Sequence, residues 1–473
     1  MKDQFMTEKT TDHFDIIVIG AGPGGYVAAI RASQLGMKTA IFEKADMGGI
    51  CLNWGCIPTK AMLRSSEMYA HMQNAEHYGL SAKPKFDLSA IVKRSRDIAA
   101  KLSGGIDFLM KKNKVTVIKA AASLKASNGN APAVTTGDAT YSADHIILAT
   151  GARARTIESI GAVPDGKTIW TSREAMVPET LPKKLLVVGS GAIGLEFASF
   201  YNGLGSDVTV VEVMDRILLQ EDAEIAALAQ KSFEKRGVNF MTSAELQAVA
   251  PTKKGVDATI SKDGASQTLS FDKVILAIGV VANTEDMGLE DLGVELEKGA
   301  IKTDSYGATN IPGLYAIGDV TAPPWLAHKA SHEAVICVEA IAGLSPHALD
   351  KNKIPACTYC TPQIASIGLT EEKALAEGHE IRVGRFPFQG NGKALAMGET
   401  EGLVKVVFCD ETGELLGAHL IGAEVTELIQ GFATAIGLET TEEELMQTVF
   451  PHPTLSEMMH ESVLDAYDKV LHL

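Results

Sequence analysis

Two cysteines, Cys51 and Cys56, stand five positions apart in the apolar, glycine-interrupted stretch Gly48–Cys56. On a regular helix this separation spans about 7.5 Å along the axis, whereas a disulfide needs Cα atoms roughly 4.4–6.8 Å apart. Closing the pair therefore requires a distorted turn, which Gly55 can tolerate. A short, strained bridge is easily reduced, so the pair predicts a dithiol that cycles with a disulfide. A structural disulfide and two buried thiols are the alternatives.

A glycine-rich turn follows the first apolar run of the chain. Residues Asp15–Ile19 have the continuous apolar character of a buried parallel strand, and Gly20, Gly22 and Gly25 come directly after it. In a dinucleotide-binding turn these glycines permit the tight bend, the approach of a pyrophosphate and the packing of helix on strand. Glu43, at the end of the next predicted strand, would accept hydrogen bonds from ribose hydroxyls.

The same pattern recurs after the apolar run Leu185–Val188, and it predicts a second nucleotide site. Two purely structural turns are the alternative. A carboxylate at Glu212 would repel a ribose 2′-phosphate, and no arginine follows within three residues, so NAD is favoured over NADP. The candidate residues of this second turn are Gly189, Gly191, Ile193, Gly194 and Glu212.

Length and composition fit an enzyme of two to four domains. The chain has 473 residues, of which 46% are hydrophobic and 22% charged. Its net charge of −16 argues against nucleic acid and anionic membrane surfaces as partners. Six cysteines and an N-terminal segment, Met1–Asp12, without signal or transit character favour a reducing, cytoplasmic location, and no apolar run has the length of a membrane span.

The remaining pattern places further strands around the two glycine turns. Ile146–Gly151 and its near copy Val274–Gly279 each predict a buried strand that ends in a turn, and Gly313–Asp319 predicts a strand that ends on an aspartate. Beyond Gly343 strands such as Val404–Phe408 predict a separate antiparallel domain. The predicted fold is therefore α/β, with two Rossmann-like dinucleotide-binding domains and a C-terminal α+β domain.

Taken in order, these motifs resemble those of the flavoprotein disulfide reductases. The resemblance runs from about Phe14 to the C-terminus, and it includes Ala149-Thr150-Gly151, Ala316–Asp319 and the terminal Phe450–Glu457. Within that family the chain is most similar to members that oxidise dihydrolipoamide in 2-oxo-acid dehydrogenase complexes. The implied domains are a FAD-binding domain in two parts (1–155 and 283–352), a NAD-binding domain (156–282) and an interface domain (353–473).

The resemblance also implies which residues hold the cofactors. The first glycine turn would hold FAD and the second NAD. Asp319 would lie near the ribityl and pyrophosphate groups. Gly279 is followed by Val280, where relatives commonly have an arginine. Outside the two turns, the implied cofactor-binding residues are Glu43, Lys44, Gly49, Lys60, Ala120, Thr150, Gly151, Gly279, Asp319, Ala327 and His328.

The implied catalytic residues lie in three parts of the chain. Cys51 would exchange with the substrate and Cys56 would contact the flavin. Lys60 would pair with Glu196 beside the flavin, the alternative being a surface ion pair of little energetic value.

Near the C-terminus, His452 would take the proton from a substrate thiol and Glu457 would orient its imidazole. A histidine before a proline is otherwise commonly a turn residue. Because this pair is far from the cysteines in sequence, the family builds the site in a homodimer, so that His452 of one subunit faces Cys51 of the other.

The predicted reaction is the transfer of electrons from protein-bound dihydrolipoamide through Cys51, Cys56 and FAD to NAD. The expected partners are a second copy of the chain and the lipoyl and subunit-binding domains of an acyltransferase core. The alternatives are an NADPH-dependent reductase of glutathione or another small disulfide, and an assembly subunit without catalysis. No metal is predicted, since Cys357 and Cys360 lack a second pair and are interpreted as packing residues.

Overall fold

The computed structural model describes residues 10–127, 129, 131–137 and 139–473. Most of Met1–Asp12, for which the sequence predicts no targeting signal, lies outside these residues. The predicted four-part domain division remains a prediction. The first of two compact units comprises the described residues of Met1–Thr59 with Lys93–Ala154 and Val280–Leu349, and the second comprises Lys60–Val92, Arg155–Gly279 and Asp350–Leu473.

The first unit is built on a mixed sheet whose middle strand is Thr10–Ile19. Ile17 and Ile19 belong to one hydrophobic cluster and Ile16 and Val18 to another, because alternate side chains of a strand point to opposite faces. Both faces are covered, which explains the continuous apolar run. Its parallel strands are, in spatial order, Thr116–Ile118, Thr39–Phe42, Thr10–Ile19, Ala139–Leu148 and Leu314–Ala316. Ala133–Thr136 and Ser123–Lys125 extend it antiparallel.

The second unit contains a parallel sheet and two antiparallel sheets. The parallel strands are, in spatial order, Asn239–Met241, Asp207–Val211, Lys184–Val188, Lys273–Leu276 and Ile169–Trp170. A meander follows, of Ala244–Pro251, Val256–Lys262 and Ala265–Phe271. The C-terminal sheet consists of Ala356–Thr358, Gln363–Gly368, Leu415–Gly422, Leu403–Cys409 and Ile381–Pro387, all antiparallel as the sequence predicts for this region.

Short ribbons and helices connect and cover these sheets. Two-residue and three-residue ribbons pair Ala152–Ala154 with Val280–Ala282 and Leu296–Glu297 with Ala300–Ile301. The α-helices are Pro23–Gln34, Gly49–Trp54, Cys56–Gln73, Leu88–Lys112, Ser172–Ala175, Ala192–Gly203, Ala223–Lys235, Ala327–Ile341, Glu371–Ala376, Gly392–Met397, Val425–Gly437, Glu442–Gln447 and Glu457–Asp465. The 3₁₀ turns are Ala75–Tyr78, Glu158–Ile160, Gly318–Val320, Lys351–Lys353 and Phe388–Gly390. None of the helices in the described residues is long and apolar enough to cross a membrane.

Candidate active site

The first glycine turn connects strand Thr10–Ile19 to helix Pro23–Gln34. Gly20 has a φ of +101°, and a Cβ on it would lie 2.3 Å from the carbonyl oxygen of Ala149. A Cβ on Gly25 would lie 1.8 Å from the carbonyl oxygen of Gly20. Both positions require glycine for the turn itself and for the close approach of helix and strand, as the sequence predicts.

The second glycine turn repeats this geometry in the other unit. Gly189 has a φ of +97°, and its Cβ would lie 2.4 Å from the carbonyl oxygen of Ala277. A Cβ on Gly194 would lie 2.1 Å from the carbonyl oxygen of Gly189. The helix Ala192–Gly203 follows, so the second turn has the same strand–turn–helix context as the first.

The middle glycine of each turn behaves differently from the outer two. Gly22 and Gly191 have φ values of −68° and −74° with ψ of −176°, an extended conformation that any residue adopts. Among the described residues, no atom lies within 4 Å of a Cβ built on either one. No described residue requires glycine at these two positions, so the open space fits a ligand that approaches the backbone. Each space lies at a helix N-terminus, whose N–H groups and dipole attract phosphate. Both turns therefore fit a dinucleotide pyrophosphate.

An acidic residue ends the second strand beside each turn. The Glu43 carboxylate accepts hydrogen bonds from the amide of Ala21 on Oε2 and the amide of Ala45 on Oε1, each at 2.8 Å. The strand Thr116–Ile118 lies alongside, since the Glu43 amide donates to the Ile118 carbonyl at 3.1 Å. The carboxylate is thus fixed at the carboxyl edge of the sheet, where ligands of such folds bind.

Glu212 occupies the equivalent position after strand Asp207–Val211. Its Oε2 accepts from the Ser190 amide at 3.0 Å and from the Ser190 hydroxyl at 2.6 Å, and its Oε1 accepts from the Met214 amide at 2.9 Å. Arg216, the nearest following arginine, makes two hydrogen bonds with Glu372, at 3.0 and 3.1 Å. That guanidinium is therefore engaged with a carboxylate of its own.

The two cysteines lie on consecutive helices separated by one distorted residue. Cys51 lies within helix Gly49–Trp54 and Cys56 begins helix Cys56–Gln73. Between them Gly55 has a φ of −150° and a ψ of −115°, far from helical values. The predicted distorted turn at this glycine is confirmed. Both cysteines are half-buried.

Polar contacts hold the cysteine-bearing turn in shape. The buried Asn53 side chain donates to the carbonyls of Met47 and Gly49, at 2.9 and 3.0 Å. Arg96 donates to the Asn53 carbonyl at 2.5 Å and lies 4.0 Å from the centre of the Trp54 ring. These contacts fix the backbone on both sides of Cys51.

The turn also lies directly against the first glycine turn. A Cβ on Gly49 would come within 2.6 Å of the Gly22 Cα, and the Gly48 amide donates to the Ala21 carbonyl at 2.8 Å. Gly49, predicted to bind the cofactor, therefore brings the cysteine helix to the open space at Gly22.

Lys60 and Glu196 form a partly buried ion pair. The Lys60 Nζ lies 2.8 and 3.0 Å from the two carboxylate oxygens, and the Glu196 side chain is only 7% exposed. The Tyr359 amide donates to the same carboxylate at 3.0 Å, and the Lys60 ammonium lies 4.5 Å from the centre of the Tyr359 ring. A loose surface pair would have none of these additional contacts, so the geometry excludes that alternative.

Asp319 lies in the 3₁₀ turn Gly318–Val320 after strand Leu314–Ala316, at the same sheet edge as the first glycine turn. Burial raises the pKa of its carboxyl above the ordinary value, against the opposing effect of the Lys329 ammonium, while the Glu333 carboxylate adds to the rise. Lys329 is fully buried and forms an ion pair with Glu333 at 3.0 Å. Glu333 in turn accepts from the Gly318 amide at 2.8 Å. The turn that carries Asp319 is thus fixed by a buried charge network.

His452 and Glu457 lie within hydrogen-bonding distance. The imidazole Nδ1 is 2.9 Å from Glu457 Oε1, and the Thr454 amide donates to Glu457 Oε2 at 2.9 Å. Burial alone would raise the pKa of the Glu457 carboxyl, but the Thr454 amide and His452 outweigh it and lower the pKa. The pair lines a cavity of about 490 Å³, and the His452 side chain is 77% exposed. With Nδ1 on the carboxylate, Nε2 is the ring nitrogen that would accept a proton.

The other predicted cofactor residues occupy turns and helix ends. The Thr150 hydroxyl donates to the Asn283 carbonyl at 2.8 Å, and the Asn283 amide group donates back to the Thr150 carbonyl at 2.9 Å. Lys44 is exposed beside Glu43, and Ala120 follows strand Thr116–Ile118. Gly151 and Gly279 both have a positive φ. Ala327 and His328 begin helix Ala327–Ile341, and Ile193 is 42% exposed.

Cys357 and Cys360 are packing residues, as interpreted from the sequence. Cys360 is buried and belongs to a hydrophobic cluster with Ile364 and Ile421, and Cys357 packs against a second cluster. Burial raises the pKa of the Cys357 thiol to about 11, and it also raises the pKa of the Cys360 thiol. Across the described residues, no group of three or more His, Cys, Asp or Glu side chains could hold a metal ion.

Comparison with known proteins agrees with this arrangement. A family model described as pyridine nucleotide-disulphide oxidoreductase matches residues 14–334, and the model of its dimerisation domain matches 354–463. The chain belongs to the pyridine nucleotide-disulphide oxidoreductase family.

Several relatives match over nearly their whole length. Dihydrolipoyl dehydrogenase from Rhizobium etli is 56% identical over 97% of this chain and 99% of its own, and that from Zymomonas mobilis is 54% identical over 98% and 99%. The crystal structure of LpdA from Mycobacterium tuberculosis superposes with a TM-score of 0.88 at 30% identity, covering 96% of this chain and 99% of that one.

Family membership confirms the predicted fold class, an α/β protein with two dinucleotide-binding domains and a C-terminal α+β dimerisation domain. FAD and NAD are the cofactors of this pyridine nucleotide-disulphide oxidoreductase. The match to the dimerisation model supports a homodimer.

Several residues that shape the site escaped the sequence reasoning. Lys329 and Glu333 are four positions apart on helix Ala327–Ile341, and a lysine on an otherwise apolar helix face could have drawn attention. The side chains of Asn53 and Asn283 donate to backbone carbonyls, so no pattern of residue types in the sequence indicates these contacts. The Ser190 hydroxyl lies within the second glycine turn, at a position that the glycine motif does not specify.

Proposed function

We propose that the protein oxidises dihydrolipoamide to lipoamide with NAD as electron acceptor, through disulfide exchange at Cys51 and Cys56. The observation that carries this proposal is the close approach of the cysteine-bearing turn, at Gly49, to the open space beside Gly22 in the first glycine turn. Relatives above 50% identity that are named dihydrolipoyl dehydrogenase support dihydrolipoamide as the substrate.

The exchange balances within the substrate and the two cysteines. One thiolate of dihydrolipoamide attacks the Cys51 sulfur, breaks the Cys51–Cys56 bond and leaves Cys56 as a thiolate. The second substrate thiol then attacks the mixed disulfide, which closes the lipoamide ring and releases Cys51. Two electrons have moved from substrate to the cysteine pair. FAD, when bound, supplies the two-electron couple that links this dithiol to NAD.

Proton removal is assigned to His452, because only a thiolate attacks a disulfide. Glu457 would orient the imidazole through Nδ1, and the Thr454 amide holds that carboxylate in place. The resemblance to disulfide reductases implies that His452 of the partner subunit serves Cys51, so two active sites would be shared across the homodimer.

The cofactor-holding roles follow the two turns. Gly20, Gly22, Gly25 and Glu43 would hold FAD by its adenosine half and pyrophosphate, with Asp319 near the ribityl group. The second turn and Glu212 would hold NAD. The Lys60 ammonium, held by both Glu196 oxygens, would serve as a fixed positive charge beside the flavin.

NAD is preferred over NADP because of charge. The Glu212 carboxylate would repel a 2′-phosphate, and the Arg216 guanidinium that could attract one is paired with Glu372. An NADPH-dependent reductase of glutathione is therefore disfavoured. The contacts around Cys51, Lys60 and His452 likewise disfavour a purely structural assembly role.

The proposal extends to domains, partners and location. Residues 1–155 with 283–352 would form the FAD-binding domain, 156–282 the NAD-binding domain and 353–473 the interface domain. The physiological substrate would be the lipoyl domain of an acyltransferase core, and the homodimer would dock on the subunit-binding domain of that core. The cytoplasm is the proposed location.

Anaerobic reduction by dihydrolipoamide, with NAD or NADP as acceptor, tests the activity. The wild-type protein should reduce NAD. Cys51→Ser and Cys56→Ser should keep bound FAD and lose dithiol oxidation, and Cys51→Ser should show a long-wavelength absorbance from the Cys56 thiolate. Normal turnover in either variant would contradict the disulfide mechanism.

Mixing two inactive variants tests the shared site. In a mixed dimer of Cys51→Ser and His452→Gln subunits, a shared arrangement gives one site with both lesions and one with neither. Random mixing in equal amounts should then restore about a quarter of wild-type activity under two-fold symmetry. No recovery, in dimers shown by mass to have exchanged, would contradict sharing.

A further inference from the structure

The acids beside the two glycine turns differ in the number of hydrogen bonds that the protein gives them. Glu43 receives one on each oxygen, from the amides of Ala21 and Ala45. Glu212 receives one on Oε1 and two on Oε2, because Ser190 donates both its amide and its hydroxyl. Ala21, at the position of Ser190, has no hydroxyl to donate.

This difference changes the number of acceptor positions that each carboxylate can still offer to a ligand. Each carboxylate oxygen accepts about two hydrogen bonds. Counting donors from the described residues, Glu43 keeps one acceptor position on each oxygen, whereas Glu212 keeps one position on Oε1 and none on Oε2. The two hydroxyls of an adenosine ribose could therefore both bind Glu43, but only one could bind Glu212.

The Ser190 contact is firmly held. Its length of 2.6 Å is typical of a hydroxyl that donates to an ionised carboxylate. Ser190 is 1% exposed, so water has little access to replace the hydroxyl, and the hydroxyl itself is hidden from a ligand. It acts on a nucleotide only through Glu212.

We propose that Ser190 is a positioning residue that sets the affinity for NAD by occupying one acceptor position of Glu212. A resident cofactor benefits from two ribose contacts, but a substrate that must leave in every cycle is better held by one. The inference rests on the proposed function in one respect, namely that the second turn binds NAD.

The test is calorimetric titration of the oxidised, FAD-loaded holoenzyme with NAD⁺ and NADP⁺, which do not react with it. Ser190→Ala should lower the Kd for NAD⁺ about 3- to 10-fold, the ordinary worth of one added hydrogen bond. The Kd for NADP⁺ should stay within about twofold, since this ligand lacks the 2′-hydroxyl and still meets the carboxylate. Ser190→Gly removes the same hydroxyl and stands in if the alanine variant does not fold.

Ser206→Ala is the matched control. Ser206 is another buried serine of the same unit, and its hydroxyl donates to the Pro182 carbonyl at 2.6 Å, away from Glu212. This variant should keep the wild-type Kd for NAD⁺, which separates the specific contact from general loss of a buried hydroxyl.

Each other outcome has a definite meaning. An unchanged or weaker affinity for NAD⁺ in Ser190→Ala, with FAD content and melting temperature intact, would overturn the inference alone. An equal gain for NADP⁺ would also overturn it, because a widened pocket would then explain the result. Failure of the wild-type protein to bind NAD⁺ would overturn both the inference and the proposed acceptor.

Discussion

The two glycine turns have nearly the same backbone and different surroundings. The outer glycines of each turn meet backbone carbonyls at 1.8 to 2.4 Å from a built Cβ, and the middle glycines have the same extended conformation. Even the covering loops repeat one contact, since the Gly48 amide donates to the Ala21 carbonyl and the Leu218 amide to that of Ser190. The fold itself demands these shared features.

The surroundings differ at the fifth residue of each turn, Gly24 in the first and Ile193 in the second. In the first turn, Gly24 packs against helix Ala327–Ile341, with a built Cβ 3.3 Å from the Ala330 carbonyl oxygen and from the Ile317 side chain. In the second turn the equivalent Ile193 is 42% exposed. The first turn is enclosed by its own unit and suits a resident cofactor, whereas the second is more open and suits an exchanging one. We therefore expect the same substitution to have different effects in the two turns.

The largest effect is expected from Gly25→Ala and Gly194→Ala. Each new Cβ would lie 1.8 Å (Gly25) or 2.1 Å (Gly194) from a carbonyl oxygen, far inside van der Waals contact, so helix and strand must separate at a cost of about 3 kcal/mol. Gly25→Ala should lose FAD, whereas Gly194→Ala should retain FAD and lose NAD⁺ binding. Flavin absorbance per chain and calorimetric titration measure the two effects. Loss of FAD in both variants would show that the two turns do not act independently.

The next effect is expected from the acids. Glu43→Ala and Glu212→Ala each remove a charged acceptor, and hydrogen bonds to charged groups are worth about 1.5–3 kcal/mol, or roughly 10- to 100-fold in affinity. Glu212→Ala should weaken NAD⁺ binding and narrow its advantage over NADP⁺, because acceptor and repulsive charge vanish together. Glu43→Ala should speed FAD release on dilution, followed by flavin fluorescence. Glu→Gln at each site, which keeps one acceptor oxygen, is the control, and its affinity for the nucleotide should lie between those of the wild type and the alanine variant. A wild-type preference for NADP⁺ would contradict this assignment.

The sequence predicted the parts of the site that depend on local spacing. Both glycine turns, their acids, the distorted turn at Gly55 and the contact of His452 with Glu457 join residues that are close in sequence or fixed by a repeated motif. The pairing of Lys60 with Glu196, far apart in sequence, came from the family resemblance and is present in the structure.

The rest depends on contacts that no local pattern specifies. The buried Lys329 ammonium pairs with the Glu333 carboxylate and donates to the Gly318 carbonyl, contacts that only the three-dimensional structure shows. Asn283 clamps the Thr150 turn across a ribbon formed by distant segments. The roles of the site residues and the domain boundaries remain predictions.

A smaller effect is expected from Gly22→Ala and Gly191→Ala, and its sign depends on what is measured. Both backbones are compatible with alanine, so the melting temperature of the nucleotide-free protein should stay the same or rise, by the equivalent of about 0.4–1 kcal/mol. The new methyl group would project into the open space, so the affinity of FAD in the first variant and of NAD⁺ in the second should fall about 10-fold. A loss of stability without ligand would mean that protein, rather than nucleotide, fills this space.

The smallest effect is expected from Gly24→Ala and Ile193→Ala, which compare the surroundings of the two turns. Gly24→Ala places a Cβ 3.3 Å from the Ala330 carbonyl oxygen, a contact tight enough to cost about 1 kcal/mol and to loosen FAD slightly. Ile193→Ala shortens a side chain that is already 42% exposed. The free energy of unfolding should therefore change by about 0.5 kcal/mol, and the Kd for NAD⁺ by less than about threefold. Thermal melts followed by flavin fluorescence, with NAD⁺ titrations, measure both. If Ile193→Ala instead destabilised the protein like a core truncation, by about 2–5 kcal/mol, the second turn would be as enclosed as the first and the contrast between them would fail.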